Sequence, residues 1–206
     1  MKMRDGLLSI LADVASSSPA PGGGSAAAIA GALSAGLGSM VAGIVRLRER
    51  YKSRWDDAEA LKVKLDSLSK EFSELAEQDA MAYLGVVEEA RKKSKGKKHN
   101  LELAEKRATL VPLRTADRAV ELVRLLVEVE ALGLRSAASD MFVALSLARA
   151  TFLGGKANVL VNLPSLNTSL AQDVKSRLDS YDKEFSDIHA GLEARLRSEL
   201  GFEREV

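Results

Sequence analysis

The residues with the clearest chemical potential belong to the sequence PAPGGGS, which stands directly before a run of alanines. Pro21 restricts the entry to this loop, while Gly22, Gly23 and Gly24 can adopt positive φ and let a ligand approach the backbone. We expect Ser25 to be the N-cap of the next helix, whose free N–H groups and positive dipole end favour anionic or carbonyl oxygens. The loop predicts a small-molecule site, and a tight connection between two helices is an equally simple interpretation.

Two acidic residues lie among small or apolar neighbours and are candidates for acid–base chemistry. Asp79 lies in the sequence EQDAMAY, and Asp140 lies in the sequence SDMFVA. A carboxylate placed among apolar helices must be paired or acquire a raised pKa, and either outcome suits proton transfer. Exposed acids on amphipathic helices are far commoner, so a surface role stays open for both residues.

Two asparagines and the absence of cysteine complete the chemical inventory. Asn158 and Asn162 flank a hydrophobic segment, where they either hold a polar ring or simply terminate a helix and a strand. Without cysteine there are no disulfides, no thiolate catalysis and no thiolate metal site. Because the two histidines, His99 and His189, lie far apart in the sequence, we expect both at the surface and predict no metal site.

The charge of the chain and its N-terminal sequence limit the kinds of molecule that it is expected to bind and the compartment in which it is expected to occur. The chain has 30 basic and 29 acidic residues, so no global field recruits nucleic acid or an anionic membrane. The basic run at residues 91–98 lacks aromatic residues and is typical of a solvated loop. No secretory signal fits the first residues, and we expect a cytoplasmic protein.

A stretch without charge at residues 26–45 is long enough to span a bilayer. Alanine, glycine and serine dominate it, and these residues contribute little to membrane insertion. A helix that is apolar all round also suits the centre of a bundle. We therefore predict a buried central helix and no membrane span.

Hydrophobic periodicity predicts six helices in one domain that covers residues 1–206. Pro112 is expected to kink the fourth helix, Gly133 to end it, and Gly154 with Gly155 to break the fifth. An extended segment is expected at residues 158–164. The fold class is an all-α, single-domain, multi-helix bundle with a long central apolar helix. The predicted helices cover residues 3–15, 25–47, 54–92, 100–132, 136–153 and 165–200.

Small residues recur at every fourth position of the second helix and form a smooth ridge. The ridge exceeds what one partner helix needs, so we predict a homodimer through the apolar helices. It consists of Ala27, Gly31, Ala35, Ser39 and Gly43.

In this order, the motifs resemble the cyclodeaminase domain of the formiminotransferase-cyclodeaminase family and its free-standing methenyltetrahydrofolate cyclohydrolases. The resemblance covers residues 7–196 and begins with PAPGGGSAAA and GALSAGLGSMVA. It continues with Asp79-Ala80 and Tyr83, then VPL at residues 111–113, SD at 139–140 with VA at 143–144, and NVLVNL at 158–163.

The resemblance implies a helical homodimer that binds a one-carbon tetrahydrofolate through the glycine loop, with Asp79 and Asp140 as acid–base residues. It implies hydrolysis of 5,10-methenyltetrahydrofolate to 10-formyltetrahydrofolate, without a prosthetic group, metal or thiol. The alternative within the family is deamination of formiminotetrahydrofolate. A folate-binding or scaffold dimer without catalysis is the alternative of another class, because Leu134 replaces a polar residue that is common in the family.

The apolar sequence after Asp140 predicts better shielding from water, so we rank Asp140 above Asp79 in the reaction. Both carboxylates are expected to reach one pocket, which requires that the third and fifth helices are neighbours.

Overall fold

A computed structural model describes residues 3–202 and contains no strand within them. Short 3₁₀ turns at Glu49–Arg54, Arg135–Ala137 and Leu163–Ser165 join some of the helices. The all-α prediction is confirmed. The helices are α1 (Met3–Ala15), α2 (Gly23–Arg46), α3 (Trp55–Ser94), α4 (Leu101–Glu130), α5 (Ala138–Asn162) and α6 (Thr168–Leu200).

Helices α2 to α5 form a ring of four around one hydrophobic core. Helix α2 packs against α3 and α5, α4 packs against the same two helices, and α6 covers α4 and α5. Helices α3 and α5 therefore lie diagonally across the ring, with α2 and α4 between them. The third and fifth helices were predicted to be neighbours around the central helix; both pack against α2, but α2 and α4 separate them.

The small-residue ridge of α2 packs inside the subunit. A Cβ added to Gly31 would overlap the Phe72 ring, and one added to Gly154 would overlap Ala27. The ridge lets α3 and α5 approach closely, so the assignment of this ridge to a dimer contact is wrong.

The opposite face of α2 is exposed. Leu33 is 58% exposed and Met40 is 42% exposed. Among the described residues, Gly23–Arg46 is the one helix long and apolar enough to cross a membrane, and half of its most apolar window is buried. Helix α2 is thus the predicted long apolar helix, and it forms one wall of the ring with about half of its apolar window buried.

Helix α5 runs through the glycine pair that was expected to break it. A Cβ on Gly155 would lie 3.0 Å from the Ala116 nitrogen and 3.0 Å from the Pro112 oxygen, because α4 crosses α5 there. The two glycines therefore allow α4 to approach α5 closely, and they do not break α5. The extended segment expected at residues 158–164 is likewise wrong, since α5 continues to Asn162. Helix α4 is continuous through Pro112.

Candidate functional site

A cavity of about 240 Å³ opens where α2 begins, beside residues 79–83 of α3, residue 108 of α4 and the last turns of α5. It gathers six of the nine residues that the sequence pointed to: the three glycines of the loop, Asp79, Asn158 and Asn162. Its lining comprises Pro19, Ala20, Gly22, Gly23, Gly24, Asp79, Ala80, Tyr83, Ala108, Asn158, Val161 and Asn162.

Asp79 is held against the first turn of α2. The Ser25 hydroxyl donates a hydrogen bond of 3.1 Å to Oδ2 of Asp79. A Cβ on Gly24 would overlap the same carboxylate, so only glycine permits this approach. The N-terminal end of the helix dipole faces an acidic group here.

Burial raises the pKa of Asp79 above its ordinary value, because desolvation disfavours the charged form. The hydroxyl and the backbone N–H of Ser25 oppose that effect by donating hydrogen bonds to the carboxylate. The result is a carboxyl group that takes up a proton more readily than a solvated aspartate, which suits a general base or acid.

The loop differs from its prediction in three details. Gly22 is the N-cap of α2, while Ser25 is the third residue of the helix and is buried behind Asp79. The three loop glycines all have negative φ. Pro21 and Ser25 do not line the cavity. The glycines are therefore needed for space, chiefly at Gly24, and Ser25 positions Asp79.

The two asparagines close the cavity from the C-terminal end of α5. The Asn158 amide donates to the Gly154 carbonyl at 2.8 Å, and the Asn162 amide donates to the Ala108 carbonyl at 2.8 Å. One N–H of each amide is thus used to fix the side chain. Within the described residues, no hydrogen bond uses the second N–H or the side-chain oxygen of either residue, so each asparagine offers a ligand both a donor and an acceptor.

Asp140 lies at the other end of α5. Eighteen residues separate Asp140 from Asn158 in one continuous helix, a rise of about 27 Å. Within one subunit the cavity therefore contains Asp79 without Asp140. The prediction that both carboxylates reach one pocket of the subunit is wrong. The residues around Asp140 do not reveal how far it lies from the cavity, because that distance depends on the length of α5.

Tyr83, Ala108 and Val161 line the cavity and were not predicted as site residues. Tyr83 follows Asp79 by four residues, so its place on the same helical face was readable from the spacing. None of the lysines at residues 91–98 lines the cavity. Leu134 is buried in the core near the start of α5, away from the cavity.

A larger groove of about 1020 Å³ lies elsewhere, where α4 ends and α5 begins. Its Arg195 is paired with Glu130 at 3.2 Å. Neither Asp79 nor the glycine loop contributes to it, so its size does not make it the better candidate. Residues 3–202 contain no cluster of three metal-ligating side chains.

Sequence comparison places this arrangement in a known family. Residues 7–180 match the formiminotransferase-cyclodeaminase family along most of the chain. The chain belongs to that family. The match includes the glycine loop, Asp79 and both asparagines.

Individual members of the family align over different shares of their length. The chain is 27% identical to the formimidoyltransferase-cyclodeaminase of Rattus norvegicus over 92% of its own length but only 37% of that relative. It is 30% identical to the methenyltetrahydrofolate cyclohydrolase of Methylorubrum extorquens, covering 75% of this chain and 77% of the relative.

A solved structure extends the similarity to the fold. The formiminotetrahydrofolate cyclodeaminase of Thermotoga maritima superposes with a TM-score of 0.83 at 26% identity, over 95% of both chains.

Proposed function

We propose that the chain hydrolyses 5,10-methenyltetrahydrofolate to 10-formyltetrahydrofolate, with Asp79 as the acid–base group. The observation that carries this proposal is the half-buried Asp79 carboxyl, held by Ser25 in a cavity at the start of α2. The similarity to a methenyltetrahydrofolate cyclohydrolase along three quarters of the chain supports the same reaction.

The reaction begins with addition of water to the bridging carbon of the cationic substrate. Asp79 accepts a proton from the water as the new C–O bond forms, and its negative charge stabilises the delocalised cation. The bond between the bridging carbon and N5 then breaks, and the proton passes from Asp79 to the departing nitrogen. One water is consumed, the formyl group remains on N10, and the positive charge leaves as a proton.

Deamination is the second candidate, supported by the similarity to a formiminotetrahydrofolate cyclodeaminase over nearly the whole chain. In that reaction N10 attacks the formimino carbon and the bond to the amino nitrogen breaks. Asp79 would protonate the leaving ammonia. A folate-binding dimer without catalysis remains the alternative in which Asp79 serves only to bind the substrate cation.

We also propose a cytoplasmic homodimer that binds neither nucleic acid nor membrane. The near balance of 30 basic and 29 acidic residues supports the first exclusion. The packing of α2 against two helices of its own subunit supports the second. Because Asp140 lies far from the cavity of its own subunit, a catalytic role for it requires a second copy.

The test follows the loss of methenyl absorbance in the same buffer with and without protein. We expect Asp79→Asn to lower the rate by roughly two orders of magnitude or more, since it removes the proton acceptor and keeps the shape. Ammonia release from formiminotetrahydrofolate is measured in parallel and decides between the two reactions. If wild type and Asp79→Asn leave both substrates at the uncatalysed rate while folate still binds, the non-catalytic alternative replaces the proposal.

A further inference from the structure

The exposed face of α2 carries an uncharged row with the spacing of a helix–helix seam. Its positions are three or four residues apart, as in the seam between two helices that cross at a shallow angle. Leu47, at one end, is 85% exposed. The row consists of Ala26, Ile29, Leu33, Gly36, Met40, Ile44 and Leu47.

Six of the seven positions of this row form three pairs that are symmetric about its centre, and Gly36 lies next to the centre. Ala26 and Leu47 are equidistant from the Gly36–Leu37 peptide bond, and the same holds for Ile29 with Ile44 and for Leu33 with Met40. A two-fold contact requires such self-complementarity, because residue i of one copy meets residue j of the other and the reverse. A Cβ on Gly36 would meet nothing within 4 Å in its own subunit, so this glycine leaves the centre open for a second helix.

Charge favours the antiparallel arrangement of the two helices. A parallel pair would place the two basic segments that follow α2 side by side, at a cost in repulsion. An antiparallel pair separates them and sets each beside the N-terminal end of the partner helix, where Asp79 lies. Antiparallel dipoles also attract each other.

Arg50 lies in the 3₁₀ turn Glu49–Arg54, four residues beyond the end of α2, so an antiparallel pair places this turn near the N-terminal end of the partner helix. Arg50 is exposed, with its guanidinium carbon 4.8 Å from the centroid of the Tyr51 ring. Nearby Arg46, Lys52 and Arg54 each pair with an acid, whereas no ion pair of Arg50 occurs within residues 3–202. The arginine is thus available to an anion outside its own subunit.

We propose that two copies pair through the α2 seam and that Arg50 of each copy completes the substrate site of the other. This step rests on the proposed function for the ligand, a tetrahydrofolate with carboxylates at its glutamyl end. A cavity of about 240 Å³ lies below the roughly 300–1,000 Å³ of sites that enclose a whole small molecule. The carboxylate end therefore extends past the glycine loop, and Arg50 from the second copy binds it by charge-assisted hydrogen bonds.

The seam is tested without any assay of function, because the chain has no cysteine. Gly36→Cys places a thiol at the two-fold axis, where the short Cα–Cα distance of a disulfide is met. We expect a covalent dimer on a non-reducing gel after mild oxidation. Val63→Cys is the matched control, since Val63 is an exposed apolar residue of α3 outside the seam. A monomeric mass of the wild type in light scattering, or equal cross-linking of both variants, overturns the seam.

The role of Arg50 is tested by complementation between two defective subunits. Arg50→Ser alone is expected to raise KM for methenyltetrahydrofolate by roughly tenfold or more, with a smaller effect on kcat. The Arg50→Ser and Asp79→Asn subunits are co-expressed with two different tags, and the heterodimer is purified through both tags. One of its two sites then combines the native Asp79 of the first subunit with the native Arg50 of the second. We expect this heterodimer to regain the wild-type KM and about half the wild-type kcat per dimer.

Two outcomes are separable. If the heterodimer keeps the raised KM of Arg50→Ser, the arginine serves its own subunit or no site, and the proposal is overturned. If the wild type turns over neither folate while Gly36→Cys still cross-links, the proposed function fails and the α2 seam stands.

Discussion

At the scale of single residues, Asp79 combines a chemical role with a cost in stability. Its pKa is raised in the fold, so folding disfavours the ionised form relative to the unfolded chain. This contribution is most favourable below the unfolded pKa and is lost as pH rises through the folded pKa. A group selected only for stability would show the opposite shift, as Asp66 does beside Lys62 and Ser39.

We therefore expect Asp79→Asn to raise the melting temperature at pH 7.5 while it lowers the rate of turnover. The amide still accepts a hydrogen bond from Ser25 and carries no charge to desolvate. The gain should shrink as pH falls toward 4, where the native Asp79 becomes protonated. Calorimetric melting of both proteins at the two pH values checks this, and a lower melting temperature of the variant at pH 7.5 contradicts it.

Gly24 shows how closely the loop is fitted to this carboxylate. Gly24→Ala places a Cβ against Asp79 and forces the carboxylate away from Ser25, at about 1–3 kcal/mol for overpacking. Gly23→Ala is the matched variant, because its Cβ would lie 3.8 Å from the Asn158 amide, an ordinary contact. Urea unfolding should show a clear loss of unfolding free energy for Gly24→Ala and little change for Gly23→Ala. Equal stability of the two variants would show that Asp79 moves at no cost.

The sequence pointed to most of this site because its signals are local. The glycine loop and Asp79 stand out by composition, and both line the cavity. Asp140 has equally apolar neighbours, yet it lies about 27 Å from Asn158 along α5. Its placement depends on the length of that helix, which is greater than predicted because α5 continues through Gly154 and Gly155 to Asn162.

At the scale of elements, the glycines of α5 are explained by the helices that cross it. A pair of glycines predicts a break when nothing else is known, since glycine weakens an isolated helix. In the fold, the Pro112 carbonyl and the Ala116 backbone lie where a side chain of residue 155 would stand. The prediction that Gly133 ends the fourth helix needs only local information, because its φ of +81° is a property of the turn that follows α4.

Gly155→Ala is expected to destabilise the protein by about 1–3 kcal/mol, because the new methyl group meets backbone atoms of α4 that cannot rotate away. The control is Gly85→Ala in α3, where a Cβ meets nothing within 4 Å. That substitution should stabilise the protein by about 0.5–1 kcal/mol through helix propensity. Denaturant midpoints of both variants test the pair, and a neutral Gly155→Ala would show that α4 and α5 separate easily.

At the scale of the whole molecule, α2 to α6 share one hydrophobic core. A histidine that was expected at the surface is buried beside this core. His189 is 8% exposed and stacks on Phe185 with ring centroids 5.5 Å apart. Its position follows from the packing of α6 on α4 and α5, which no local pattern reveals. The positions of the helices could be predicted from the sequence because hydrophobic periodicity is a local property. Which faces of the helices contact each other could not, because those contacts join residues far apart in the chain.

The buried histidine predicts an acid-sensitive fold. Burial lowers the pKa of His189, and Arg149 adds to that effect while Glu193 opposes it. The neutral form is favoured in the folded state, so stability is complete above the unfolded pKa of about 6.5 and is lost as pH falls below it toward the folded value. We expect the unfolding free energy of the wild type to fall between pH 7.5 and 5, and the fall to be smaller in His189→Gln, whose side chain takes up no proton. If His189→Gln keeps the slope of the wild type, another group governs acid stability and His189 is protonated in the fold without cost.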